Sequence, residues 1–136
     1  MRRVTEANVE VVRRLFELYE RDGFEGVLET MDEDILIEIP PDLSAEPDEY
    51  RGHGGARRYF AGFVGMIDDV RYEAIELIPV DDAVVAHIRL SGRGASSGLD
   101  VDLDAFVVHE LSNGLIVRMR PYADREEALA AAAAGR

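Results

Sequence analysis

Three aspartates alternate along one stretch of the sequence, at Asp100, Asp102 and Asp104. Alternate side chains of a β-strand share a face, so these carboxylates lie on one side, roughly 7 Å apart. The residues that alternate with them are apolar and line the other side: Leu99, Val101, Leu103, Ala105 and Val107. Charge alternation of this kind is typical of a solvated strand face. The alternative is a functional face, because a carboxylate held against apolar groups has a raised pKa and can act as a general acid or base.

Tyrosine and histidine are the other side chains that could do chemistry. Tyr19 lies on an apolar helix stripe, where a buried phenol either bonds a backbone carbonyl or faces a ligand. The histidines His53, His87 and His109 lack metal-ligand spacing, so we expect no metal site, and we expect His109 at a strand end on the surface. The run Gly52-His53-Gly54-Gly55 lacks the spacing of a dinucleotide-binding loop, and no cofactor is expected.

The composition excludes several classes of protein. The 136 residues carry 28 acidic and 15 basic side chains, for a net charge of −13, with no cysteine. Every base is arginine, so lysine Schiff bases, thiolate nucleophiles, disulfides and cysteine-ligated metals are excluded. The acid excess opposes binding to nucleic acid, and no apolar run reaches the ~20 residues of a membrane span. We therefore expect a cytoplasmic protein with neither nucleic-acid nor membrane partners.

Helical spacing of apolar residues comes first along the chain. Thr5 is the predicted N-cap of a first helix, which ends at Asp22-Gly23, and a shorter helix follows from Phe24 to Met31. Residues 42–51 are polar and predict a surface loop. A third helix with a wide aromatic face is predicted over residues 56–67.

Strand spacing dominates the rest of the chain. The predicted strands are Ile35–Ile39, Val70–Ile78, Ala83–Leu90, Leu99–Leu111 and Leu115–Tyr122, with a tight turn at Asn113-Gly114. Asp124 and Glu127 predict the cap of a short terminal helix. This order predicts an α+β fold in which a curved antiparallel sheet packs on about three helices. We assign residues 1–125 to one domain and residues 126–136 to an Ala-rich helical tail.

Several short motifs, read in order, resemble one superfamily. They are Tyr50-Arg51-Gly52-His53, Val84-Val85-Ala86-His87-Ile88-Arg89, Gly92-Arg93-Gly94, Ser97-Gly98, Asn113-Gly114-Leu115-Ile116-Val117-Arg118 and the finish from Tyr122 to Leu129. The chain resembles the nuclear transport factor 2-like superfamily, and within it the SnoaL-like branch of polyketide cyclases and relatives of ketosteroid isomerase. The resemblance spans residues 5–130 and implies a cone-shaped domain with a ligand pocket on its concave side. Function does not follow from it, since this scaffold hosts unrelated activities.

The catalytic groups of two relatives are missing here. Ketosteroid isomerase uses a base Asp, a Tyr and a protonated Asp, and the matching positions hold Ile39, Leu15 and Phe106. The last-strand carboxylate of limonene epoxide hydrolase falls at Pro121. Neither mechanism can be inherited from the family.

The resemblance also assigns faces to the strands. It places Phe106, Asp104 and Asp102 on the concave side. There we expect Asp104, which is nearer the apolar end of the strand, to be the principal acid, base or polar anchor, with Asp102 beside it. It places His87 and Arg89 on the outer face of the sheet. The pocket that it implies is lined by Leu15, Tyr19, Ile39, Phe60, Phe63, Phe106, Val108, Met119 and Pro121.

Three functions remain open at this point. The first is a cofactor-independent enzyme that performs proton transfer, cyclisation or hydration on a small hydrophobic molecule. The second is a non-catalytic carrier of such a ligand. The third is a dimerising interaction module. We expect a homodimer through a convex sheet face formed by the apolar residues from Leu99 to Val107, flanked by Val85 and Val117.

Overall fold

The chain begins with a long amphipathic helix in the computed structural model, which describes residues 2–40 and 48–134. Helix α1 (Arg2–Asp22) starts before Thr5, so the prediction of an N-cap at Thr5 is wrong. Gly23 breaks the helix with a φ of 73°, which glycine adopts without a Cβ clash. Helix α2 (Phe24–Val27) and a 3₁₀ turn (Leu28–Thr30) follow at once.

The region predicted as a loop holds part of the sheet. Strand β1 (Met31–Ile39) pairs antiparallel with the short strand β2 (Asp48–Arg51), with Ile37 opposite Tyr50. The prediction of a loop is therefore wrong for residues 48–51, and residues 41–47 lie outside the described part of the chain. Helix α3 (Gly52–Met66) starts directly after β2.

Four long strands complete the sheet: β3 (Ile67–Val80), β4 (Ala83–Gly94), β5 (Asp100–Ser112) and β6 (Leu115–Tyr122). The predicted turn at Asn113-Gly114 is confirmed, with φ of 53° and 80°. The order across the curved, unclosed sheet is β2-β1-β6-β5-β4-β3, and all pairs are antiparallel except β1 with β6. The predicted α+β fold is confirmed.

The main core lies between the concave face of the sheet and helices α1 to α3. Aromatic rings fill much of it, with Phe16 stacked on Tyr72 at 5.2 Å and Phe24 on Phe60 at 4.6 Å between ring centroids. Each buried aromatic ring removes a large apolar area from water, so these pairs dominate the packing energy. None of the described helices is long and apolar enough to cross a membrane.

The convex face of the sheet carries a second, smaller core. Helix α4 (Arg125–Ala134) packs Ala128 and Ala132 against Val85 and Val108. The predicted cap is confirmed, because the backbone N–H of Glu127 donates to the Asp124 carboxylate at 2.9 Å. The Ala-rich segment therefore covers part of the sheet.

The apolar residues expected on the convex face lie on the other side. Val101, Ala105 and Val107 pack against the concave core, and Val85 faces α4 from the opposite face. The surface argument for a homodimer is therefore wrong, although the dimer itself stays a prediction. Light scattering tests it, since a particle of 15.1 kDa would refute self-association.

Candidate functional site

The pairing of β4 with β5 decides which side chains face the core. Ala86 lies opposite Val107, and both are buried beneath the helices. His87 lies opposite Phe106 one residue further along, so this pair occupies the convex face, with ring centroids 4.6 Å apart. The expected outward placement of His87 is confirmed.

Asp104 shares this convex face with His87. Its carboxylate accepts hydrogen bonds from the His87 ring and from Arg89 Nε, each at 3.2 Å. The hydrogen bonds from His87 and Arg89 hold the pKa of Asp104 below its ordinary value. The expectation of an enclosed Asp104 with a raised pKa is wrong, because the alternation along β5 turns it away from the helices.

Asp102 follows the same alternation. Its side chain is exposed on the convex face, and one carboxylate oxygen lies 3.4 Å from Arg89 Nε. The expected place of Asp102 beside the concave pocket is therefore also wrong. The Asp102 and Asp104 carboxylates share the charge of one guanidinium, which is typical of an exposed charge ladder between strands.

Phe106 and Val108 were also expected in the pocket, and this placement is wrong. Both pack with helix α4 on the convex face. The physical reason is the two-residue period of a strand, since a register assigned one residue out moves every side chain to the other face. The neighbouring residues Ala105 and Val107 take the concave positions.

The other predicted pocket residues do lie on the concave side or pack with its core. Leu15, Phe60 and Met119 are 0–1% exposed, which leaves no water-sized space beside them. Pro121 is buried, on β6 opposite Val107. These four residues are packed core, and they do not line an open pocket.

Tyr19 uses its hydroxyl within the protein. It donates a hydrogen bond of 2.6 Å to the backbone carbonyl of Val70, near the start of edge strand β3. Burial raises the pKa of Tyr19, so the phenol stays neutral. This is the structural alternative that the sequence left open, and it ties α1 to the edge of the sheet.

The core becomes open toward one end of the concave face. On β5, Leu103 is 56% exposed although its partner Leu90 on β4 is only 6% exposed. Ile39 is the last residue of β1 and Phe63 lies in the last turn of α3, and the strand register places both of these ends toward the start of β5. Both side chains, like that of Tyr59, are half-buried. We call this region the open end and define it by Ile39, Tyr50, Tyr59, Phe63, Leu103 and Ala105.

Aromatic rings contact one another within the open end. The Tyr50 and Tyr59 rings are 5.5 Å apart, and the Tyr59 and Phe63 rings meet edge to face at 5.2 Å. Burial raises the pKa of Tyr59, which therefore presents a neutral phenol. The open end combines apolar surface with hydroxyl groups, which is the composition of many small-molecule sites.

His109 is a buried polar residue that the sequence analysis misplaced. It is fully buried on the concave side of β5 opposite Val84, so the expectation of a surface histidine is wrong. Its Nδ1 lies 3.3 Å from the Val84 carbonyl, and Nε2 has no partner among the described residues. Burial lowers the pKa of His109 to about 4. The alternation from Val107 was the signal that could have placed it inside.

No carboxylate is buried in the part of the chain that the structure describes. The buried polar residues there are Asn8, Thr30, His109 and Arg120. Within the same residues, no three histidine, aspartate or glutamate side chains converge as metal ligands. The described carboxylates therefore supply no buried acid or base to the concave side.

The surface of the described residues has cavities, and two of them adjoin strand β3. One of about 330 Å³ lies where β3, β4 and β5 meet, with Arg71, Ser91, Arg93 and Asp100 among its lining residues. The other, of about 280 Å³, lies between α1 and β3 and is lined in part by Tyr19. Tyr19 is the only residue of the predicted pocket that lines either of these two cavities.

A curved, unclosed sheet wrapped around three helices defines the nuclear transport factor 2-like class of α+β domains. The family model of the SnoaL-like domain matches residues 12–119, and the chain belongs to that family. The match covers most of the core elements, from α1 into β6. None of the curated protein sequences matches the chain.

Solved structures share the fold at low sequence identity. A protein from Jannaschia sp. CCS1 with a provisional assignment as a SnoaL-like polyketide cyclase is 24% identical, with a TM-score of 0.75 over 96% of this chain and 94% of its own. Bal32a, from a soil-derived mobile gene cassette, is 20% identical, with a TM-score of 0.75 over 92% and 95%. TerC, co-crystallised with polyporic acid, is 20% identical, with a TM-score of 0.73 over 89% and 94%.

Proposed function

We propose that this SnoaL-like protein binds a small apolar organic molecule at the open end of its concave face, without carboxylate catalysis. One observation carries the proposal. The open end presents half-buried aromatic and aliphatic side chains, among them the neutral phenol of Tyr59, while no described Asp or Glu is buried. Such a surface binds by apolar contact and orients a ligand through hydroxyl groups.

The geometry argues against the enzymatic alternative. A general acid or base must reach its substrate within hydrogen-bond distance, and Asp104 is on the other face of the sheet, bonded to His87 and Arg89. His109 is enclosed by the core at β4 and β6, and its ring has no exposed surface. These groups do not form a proton-transfer pair at the open end.

The exposed apolar side chains also support a binding role. Leu103 stays 56% exposed on the concave face, and burial of that exposed part would release roughly 1 kcal/mol. A ligand that covers Leu103 and the Tyr59 and Phe63 rings gains this free energy of burial. TerC, with the same fold, was crystallised with a small organic molecule, polyporic acid.

A fluorescence titration tests the proposal. The probe is N-phenyl-1-naphthylamine, an uncharged dye whose emission rises in apolar surroundings. We expect saturable binding at one site per chain. Leu103→Arg should weaken binding at least about tenfold, because a charge placed at an apolar contact must be desolvated.

Ile75→Arg is the matched control. Ile75 is also an exposed apolar residue, 48% exposed on edge strand β3, and it lies outside the open end. Its substitution should leave the dye affinity within twofold of the unmodified protein. Absence of saturable binding, or equal effects of both variants, would contradict the proposed site.

A further inference from the structure

Two adjacent arginines in the middle of α3 have different partners. Arg57 forms a bidentate ion pair with Glu25, with N–O distances of 3.0 Å. Arg58 takes part in none of the ion pairs between described residues. Its guanidinium carbon lies over the Tyr50 ring, 5.6 Å from the ring centroid. Arg58 is thus a cation placed on an aromatic ring of the open end.

Backbone packing places Arg58 there. Gly55 approaches β2 so closely that a Cβ would meet the Tyr50 carbonyl carbon at 2.9 Å. Residues three and four positions further along a helix share its face, and these are Arg58 and Tyr59. Both side chains therefore reach the Tyr50 ring, the guanidinium at 5.6 Å and the Tyr59 ring at 5.5 Å.

The position of Arg58 differs from that of the other described arginines without an ion pair. Arg71 and Arg93 line the cavity where β3, β4 and β5 meet, together with the carboxylates of Asp69, Asp100 and Asp102. Arg58 instead adjoins the sequence of rings from Tyr50 through Tyr59 to Phe63. An apolar ligand on these rings would have a guanidinium at its edge.

The net charge of the chain bears on what Arg58 could bind. A protein with a net charge of −13 repels anionic ligands, so an anion binds only where a local cation compensates. A guanidinium recognises a carboxylate through two parallel N–H donors, and stacking on a ring reduces the freedom lost on binding. Arg58 has both features at the open end, since it carries the N–H donors and its guanidinium lies over the Tyr50 ring.

We infer that the ligand of the open end is an amphipathic acid, with an apolar body on the Tyr59 and Phe63 rings and a carboxylate on Arg58. This inference rests on the proposed function and names the ligand class for that site. Arg58 is the residue that selects acids over neutral molecules of the same shape.

Competition with the bound dye tests the inference. The probes are 1-naphthoic acid and 1-naphthalenemethanol, which have the same ring system and differ in charge. At pH 7.5 the acid should bind about tenfold more tightly than the alcohol, which is the range of one charge-assisted hydrogen bond. Arg58→Gln should abolish the preference and leave the affinity of the alcohol within twofold. Arg58→Lys should retain a reduced preference.

Arg57→Gln is the matched control, since it removes the neighbouring charge that already pairs with Glu25. It should keep the preference for the acid. Equal affinities of acid and alcohol in the unmodified protein, or an unchanged preference in Arg58→Gln, would overturn the inference while leaving the binding site intact. Failure of dye and both naphthalenes to bind would instead overturn the proposed function.

Discussion

His87 on β4 lies directly opposite Phe106 on β5, and the two rings stack at 4.6 Å on the convex face of the sheet. The pair shows which face of each strand is turned outward. Asp104 and Arg89 lie on the same convex face, while Ala86, Ala105 and Val107 face the helices. The candidate site follows from this orientation, because no described carboxylate enters the concave core.

Asp104→Asn tests whether the Asp104 carboxylate contributes only to the contacts on the convex face and not to ligand binding. The pKa of Asp104 is lowered in the folded protein, chiefly by the hydrogen bond from His87 and then by that from Arg89. Its contribution to stability is therefore present above the ordinary value of 3.8 and is lost as the pH falls through the lower folded pKa. We expect Asp104→Asn to reduce stability slightly at pH 7 and to leave dye affinity unchanged. Urea unfolding and dye titration measure both, and a loss of dye binding would contradict the assignment.

His109 should make the fold sensitive to mild acid. Its pKa falls from 6.5 to about 4 on burial, so the unfolded chain takes up the proton first as the pH decreases. Stability is therefore lost between pH 6.5 and about 4, by roughly 3 kcal/mol at 1.4 kcal/mol per pKa unit. His109→Gln, which keeps a donor for the Val84 carbonyl and does not titrate, should remove this part of the pH dependence. Urea unfolding at several pH values gives the slope, and identical slopes in both proteins would exclude His109 as its source.

Gly55→Ala should destabilise the protein. The new Cβ would lie 2.9 Å from the carbonyl carbon of Tyr50, and backbone cannot move aside cheaply. We expect a loss of about 1–3 kcal/mol, the usual cost of overpacking. Gly54→Ala is the adjacent control: no atom lies within 4 Å of its Cβ, and the better helix propensity of alanine should add up to about 1 kcal/mol. Thermal unfolding compares the two, and equal shifts would refute the close contact.

Helix α4 should be required for the stability of the convex face. Ala132 is 2% exposed against the sheet, so Ala132→Asp places a carboxylate in an apolar contact. We expect a loss of at least about 2 kcal/mol from desolvation. Ala130→Asp, on the exposed side of the same helix, should change stability by less than about 0.5 kcal/mol. If Ala132→Asp unfolds at the same urea concentration as the unmodified protein, α4 is not anchored by this contact.

The sequence by itself determined most elements and several of their ends. Strand alternation located β4 to β6, the Asn113-Gly114 turn set one hairpin, and Asp124 marked the start of α4. These signals are local, because a turn or a cap depends on a few neighbouring residues. The short strand β2 was missed, since its polar residues pair only through the distant strand β1.

Only the tertiary structure decided which face of the sheet the helices cover. The alternation along β5 is typical of exposed aspartates, but the sequence also left a functional inner face open, and a shift of one residue exchanges the faces. The packing of α1 and α3 on one side and α4 on the other resolves this, and it places Asp104 in solvent and His109 in the core. The contact of Arg58 with Tyr50 likewise depends on Gly55 bringing α3 against β2. Such contacts join distant residues in space, so the order of residues along the chain does not reveal them.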